Sequence, residues 1–243
     1  MSAKQDTHLS DALENQDGYV TPRYRSGQRT ADALLESGRV LLARISYEGL
    51  SISELCKDTG LTTGAFYRRF ESKDAFFLSL QRLALDDAQS LMQILTGQLD
   101  SMISKRCTLA QCAFEVVDMM RSWHSRHRGV LRASIQRRDH TTDSWQPFKE
   151  YARDVVEVIA ARLLHVPELH GRSDVLPRLR IAFQIVIATI TNAALNEPGP
   201  LELDDPAMTD ALAQVLTLYA GASSNPPAPK ARKPRTGAGA GSD

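Results

Sequence analysis

The stretch Gly60-Leu61-Thr62-Thr63-Gly64-Ala65-Phe66-Tyr67-Arg68-Arg69-Phe70-Glu71-Ser72-Lys73 decides the fold. Thr62 carries the short side-chain oxygen that accepts from the orphan amides of a first helical turn, so the spacing predicts a helix beginning there. Phe66 and Phe70, four residues apart, share one face of that helix and can anchor it on a small core. Its leading turn, Thr63, Gly64 and Ala65, is free of bulk and fits a major groove about 12 Å wide. Just upstream, Ser51 and Glu54 have capping-box spacing and open a helix over about Ile52 to Thr59, with Ile52 and Leu55 as its apolar residues. The connection Thr59-Gly60-Leu61 allows only a sharp change of direction, so the two short helices have helix-turn-helix spacing. Before them, Leu34, Leu35, Gly38, Leu41, Leu42 and Ile45 form the stripe of a helix predicted from about Thr30 to Ile45.

Helical periodicity continues to Tyr219 without sustained strand-like alternation, which predicts an all-α protein of about nine helices. Start signals stand at Thr30, Ser72, Thr108 with Gln111, Asp143 with Gln146, Ser173, and Asp205 followed by Pro206. Stop signals stand at Gly49, Gly97, residues 167–171, residues 196–200 and Gly221.

Composition bounds the function classes. The 243 residues hold 29 Lys plus Arg against 29 Asp plus Glu, and 42% are apolar. No apolar run reaches the roughly 18 to 20 residues of a membrane span, and the first residues lack the order of a secretory signal, so a cytoplasmic location is expected. Three cysteines, Cys56, Cys107 and Cys112, make an odd number and argue for reduced thiols rather than a disulfide scaffold. Charge is balanced along the chain except over residues 223–243, where Lys230, Arg232, Lys233 and Arg235 face a single acid. That tail has no large apolar residue and reads as disordered. Its cations offer non-specific phosphate contacts, or simply a solvated end. Residues 1–28 read as a flexible extension, in which Arg23, Arg25 and Arg29 flank Tyr24 as an arm toward a DNA backbone or minor groove, or as a disordered leader.

Catalysis finds little support. His124 and His127 share a helix but sit among Arg121, Arg126 and Arg128, which repel a cation, so no metal site and no cofactor is expected. No nucleophile elbow and no phosphate-cradling loop occurs, and no catalytic residue is assigned.

Residues Leu34 to Phe77 resemble the DNA-binding region of the TetR (tetracycline-repressor-like) family of transcriptional regulators. Tyr47 to Leu55 is similar to the family's entry into its second helix. Gly60 to Lys73 is similar to its pattern Gly-Val-Ser-x-Gly-Thr-Leu-Tyr-x-His-Phe-x-x-Lys. Departures are Ser46 where glycine is usual, Cys56 for alanine and Arg69 for histidine. Arg69 keeps a phosphate-capable donor. The resemblance implies that Tyr67 and Lys73 bind phosphates and that Thr62 caps the recognition helix. It places Thr63, Ala65 and Arg68 at base edges, with Arg68 suited to guanine and the Ala65 methyl to a thymine methyl. Read without it, Tyr67 is a buried tyrosine and Arg68 and Arg69 a solvated face.

The chain thus divides into an extension (1–28), a helix-turn-helix domain (29–74), a helical effector-binding and dimerisation domain (75–222) and a basic tail (223–243). The resemblance implies a homodimer through the last two long helices. Their candidates are the apolar run Ile181 to Ile190 with Met208, Leu212, Val215, Leu216 and Tyr219. Aromatic and polar residues at helical spacing suggest a ligand pocket of Phe114, Val117, Arg121, His124, Trp145, Phe148, Tyr151, Phe183 and Gln184, with Thr189 beside them. Its apolar majority suits an apolar or aromatic small molecule, and Arg121 with His124 permits an acidic group. The expected function is a ligand-responsive repressor binding a palindromic DNA operator. A DNA-binding architectural or co-repressor module without an effector is the second class the same residues permit.

Overall fold

The structure, a computed structural model, describes residues 9–137 and 144–221. The tail reading at 223–243, the first eight residues and the start signal at Asp143 fall outside those residues. Among the described residues there are eight α-helices and no β-strand. They are α1 (Arg25–Leu42), α2 (Ile52–Thr59), α3 (Thr63–Tyr67), α4 (Lys73–Ser104), α5 (Leu109–Gln136), α6 (Gln146–Leu163), α7 (Val175–Asn196) and α8 (Pro206–Gly221).

The caps explain most boundaries. Ser51 with Glu54 and Thr108 with Gln111 close complete capping boxes. Thr62 and Ser72 accept from the amides of Ala65 and Ala75 at 3.2 and 3.0 Å. Gly60, at φ +67°, gives α2 the left-handed residue its C-terminus needs. Two boundaries differ from the periodicity reading. The helix expected from Thr30 starts at Arg25, and the Thr30 hydroxyl donates to Ser26 O inside it. The stop expected at Gly97 does not operate, because Leu95 and Leu99 on either side are buried in the core and hold α4 helical through it. Helix α5 runs unbroken to Gln136, and the described residues hold eight α-helices where about nine were expected.

Helix α5 is the hub. It packs against α8, α4, α7 and α1. One core lies among α4 to α8, around Val116, Leu163, Phe183, Ile190 and Leu216. A second joins α1 to α4 and is completed by Val130, Leu131 and Ala133 of α5 and Phe148 of α6. The two domains therefore share α4 and the C-terminal half of α5 rather than meeting at a loose linker. At the α1–α5 crossing, Gly129 lies directly against the backbone of Leu42 and Ala43. Arg132 donates to Leu42 O at 2.9 Å, and Arg39 donates to Arg126 O at 2.9 Å.

Residues 9–24, expected as a flexible extension, are packed. Leu9–Leu13 form a short 3-10 turn against α1 and α4, Leu13 is fully buried, and Ser10 N donates to Asp32 at 2.9 Å. Tyr19 then pairs with Phe70 in an antiparallel bridge, flanked by Val20 N to Arg69 O at 2.8 Å and Glu71 N to Gly18 O at 3.0 Å. This strap ties the chain's beginning to the end of the third helix.

Candidate nucleic-acid interface and effector cavity

Helix α3 is seated by Phe66 and Phe70, both fully buried, whose rings pack on each other and on Phe76. That seating turns Thr62, Thr63, Gly64, Tyr67 and Arg68 outward, with Tyr67 56% exposed. A buried position for Tyr67 is thus excluded. Ala65, expected at a base edge, faces the core, and its contribution is the amide that Thr62 caps. Arg69 is half-buried: its guanidinium covers Gly27 of α1 and donates to Arg68 O at 3.1 Å, while its Nε is buried without a partner. The residue standing where the resembled pattern has histidine is thereby committed to the strap. Lys73 lies 4.4 Å over the Tyr47 ring and donates to Glu48 O at 3.4 Å. Burial lowers its pKa. The Tyr47 hydroxyl donates to Asp74, and Arg137 reaches Asp74 at 3.0 Å, so α5 braces the start of α4 here. Arg23, Tyr24, Arg25 and Arg29 are exposed at the beginning of α1, close to the C-terminal end of α3.

The second site is a cavity of about 320 Å³ lined by α4, α5, α6 and α7 and open on one side. Of the expected pocket residues, His124, Trp145, Phe148 and Tyr151 line it. The rest of the wall was not singled out from sequence: Leu91, Met92 and Leu95 from α4, Met119, Met120 and Trp123 from α5, Val155 and Ile159 from α6, and Ile187 and Thr191 from α7. Lys149 and Arg153 also border it. The volume lies at the lower end of small-molecule sites.

Five expected pocket residues sit elsewhere. Val117 and Phe183 are fully buried in the core, Phe114 is exposed, and Gln184 is exposed on α7. Arg121 points to α8: it donates to Thr209 Oγ1 at 2.7 Å, Leu203 O at 2.9 Å and Asp118 at 3.0 Å. Arg121 is consequently a brace between α5 and the α7–α8 connection, and no arginine of α5 lines the cavity wall.

Two polar groups of the cavity, His124 and Tyr151, are held neutral by burial. His124 bonds Met120 O through Nδ1 at 2.7 Å, and its burial pushes the imidazole down to about 4. Burial raises the Tyr151 phenol to about 12. Behind this wall His127 pairs with Asp87 at 2.8 Å, which lowers the carboxyl of Asp87. Among the described residues no group of three His, Cys, Asp or Glu is placed to hold a metal ion.

These shifts set a pH dependence of stability. The unfolded His124 takes up a proton below its ordinary value of about 6.5, whereas the folded one resists until about 4. Stability is therefore full above the unfolded value and falls as pH drops through that window, by up to roughly 3 kcal/mol. Asp87 acts in the same sense at lower pH. Urea midpoints at pH 7 and 5 should differ, and His124→Phe should flatten the difference.

A short, exposed helix on an aromatic seat behind a capped turn, joined to a helical bundle with an internal cavity, is the plan of a helix-turn-helix regulator. Residues 34–80 match the family "Bacterial regulatory proteins, tetR family". That match spans the helix-turn-helix portion of the chain and the start of α4. A relative, the HTH-type transcriptional regulator YwcC of Bacillus subtilis, is 30% identical over 100 residues, covering 40% of this chain and 43% of the relative. The chain thus matches less than half the length of that curated relative. A TerR/AcrR-family transcriptional regulator from Aquifex aeolicus superposes with a TM-score of 0.54 at 16% identity, over 78% of this chain and 98% of its own. FadR from Bacillus subtilis, solved with stearoyl-CoA, gives a TM-score of 0.51 at 16% identity over 78% and 97%. At such identity these two structures speak to the fold, which they share across both domains.

Proposed function

We propose that the protein is a cytoplasmic, ligand-responsive transcriptional repressor that binds a palindromic DNA operator as a homodimer and is released by a small molecule entering the cavity. The observation that carries this is the outward display of Thr63, Arg68 and Tyr67 on a helix held by buried phenylalanines. Arg68 and Thr63 read base edges, Tyr67 and Lys73 contact phosphates, and Ser72 opens α4 toward the backbone. Arg69 holds the strap and contributes at most a backbone contact.

A single short recognition helix reads too little sequence, and paired half-sites need paired subunits. Ile181 and Ile185 on α7 are 44% and 38% exposed, and Leu218 on α8 is 62% exposed. These residues are the outward apolar face of α7 and α8, and a second copy covers them. Met208, Leu212 and Leu216, expected at the dimer contact, are instead buried within the subunit. The double variant Ile185→Glu with Leu218→Glu should sediment as a folded monomer and lose operator binding. A dimer that persists would place the interface elsewhere.

The effector role rests on the cavity and is supported by the stearoyl-CoA held by a protein of like fold. Ligand entry displaces α5, whose same C-terminal half clamps α1, and so alters the spacing of the two recognition helices. The experiment is an anisotropy titration of duplex DNA flanking the coding region, at two salt concentrations and with an unrelated duplex as competitor. Selective binding, weakened by a cavity ligand, is expected.

A further inference from the structure

We propose that His124 Nε2 acts as a hydrogen-bond acceptor for the effector of this cavity, and that the effector is an uncharged aromatic molecule bearing a hydroxyl. This deepens the effector reading above and rests on it. His124 is 8% exposed and lines the cavity. Its Nδ1 is 2.7 Å from Met120 O, a carbonyl that can only accept, so Nδ1 carries the proton. Nε2 then holds a lone pair, and no hydrogen bond from the described residues reaches it. His124 lines the cavity, so a ligand that fills it without supplying a donor leaves this acceptor unpaired at a cost, and one that supplies a donor avoids that cost.

The surroundings select among donors. The imidazole stays neutral where burial holds it near 4, so at His124 itself a carboxylate would meet a lone pair rather than a cation; the two cations of the lining, Lys149 and Arg153, are half-buried and exposed respectively. An ammonium fares no better: no Asp or Glu lines the cavity, and Lys149 and Arg153 would repel it. What remains is a neutral O–H or N–H. The apolar wall is rich in flat and polarisable groups, with Trp145 stacked on Phe148 at 5.3 Å, Trp123 at 6.2 Å from Phe148, and methionines from α4 and α5. Aromatic rings pack well in such a wall. A hydroxylated aromatic combines both requirements.

Three probes of one shape separate the contributions: 2-naphthol, naphthalene and 2-naphthoate. Trp123 and Trp145 are the chain's two tryptophans and both line the cavity, so quenching of intrinsic fluorescence locates the probe there, and calorimetry gives the affinity. At pH 7 the full-length protein should bind 2-naphthol roughly tenfold more tightly than naphthalene, with 2-naphthoate weakest. In His124→Phe, which keeps an aromatic ring and removes the acceptor, the preference for naphthol should vanish while naphthalene binding remains. Equal binding of naphthol and naphthalene by the wild-type protein, preference for 2-naphthoate, or a naphthol preference that survives in His124→Phe overturns the acceptor assignment. Binding of none of the three overturns the cavity reading beneath it.

Discussion

Arg68→Ala weakens binding to the operator by roughly tenfold to a hundredfold while lowering affinity for unrelated duplex much less. A guanidinium can form two parallel hydrogen bonds with guanine O6 and N7, and such a pair discriminates against a wrong base by about 1–3 kcal/mol. Arg68 is exposed at the C-terminal end of α3 and forms no side-chain ion pair among the described residues, so no described contact must be broken before it reaches DNA. Its neighbour supplies the internal control. Arg69 carries the same charge but lies against Gly27 and the strap, and Arg69→Ala should act mainly by loosening residues 18–20. Faster amide exchange at Val20 and Glu71, whose bonds tie the strap to α3 and the turn after it, would register that loosening. Tyr67→Ala with Lys73→Ala should weaken all duplexes alike and reduce the salt slope, the signature of phosphate contacts.

Gly129→Ala has the largest expected effect on the fold. A Cβ at this position would lie 2.2 Å from the carbonyl carbon of Leu42 and 2.4 Å from Ala43 N, and backbone atoms at the end of a helix cannot swing aside. The α1–α5 crossing must open, which also lengthens the bonds from Arg132 to Leu42 O and Ala43 O. Overpacking of this kind costs about 3 kcal/mol or more, against total stabilities of about 5–15 kcal/mol. Gly97 is the contrast: it lies within α4 with nothing within 4 Å of its added Cβ, so Gly97→Ala should stabilise by up to about 1 kcal/mol. Thermal melts of the two variants, with opposite signs expected, test the tightness of the crossing. Because α5 also contributes Met119, Met120, Trp123 and His124 to the cavity, a Gly129→Ala protein that remains folded should bind operator poorly even without ligand.

The helix-turn-helix unit was legible because its determinants are local. Caps three residues from their amides, a glycine able to take positive φ, and two phenylalanines one turn apart all act within a short span. The strap was not legible. Residues 1–28 read as a flexible extension, and it is the pairing of residues 18–20 with Arg69, Phe70 and Glu71, some fifty residues away, that gives those three structure. The same long-range packing overrode the stop at Gly97. In the cavity, the aromatics Trp145, Phe148 and Tyr151 announced themselves by clustering, whereas Arg121 was misplaced by rotational phase. It stands one residue after Met120, about 100° round the helix, and so faces Thr209 of α8 instead. Met92, Met119 and Ile187 carried no mark to distinguish a cavity wall from ordinary core, since either use demands the same residue types. The outward face of α7 shows the converse difficulty: an apolar run reads alike on all sides until Ile181 and Ile185 are seen exposed and Val186 and Ile190 buried.

The central claim is that α3 reads DNA sequence on a two-fold symmetric site. Repeated selection of the wild-type protein on a pool of random duplexes tests it most directly. The account predicts enrichment of an inverted repeat whose half-site centres lie one helical turn, about 34–36 Å, or a multiple apart, with enrichment lost in Arg68→Ala. A pool that emerges without any common sequence, bound with one affinity that depends on salt alone, would contradict it.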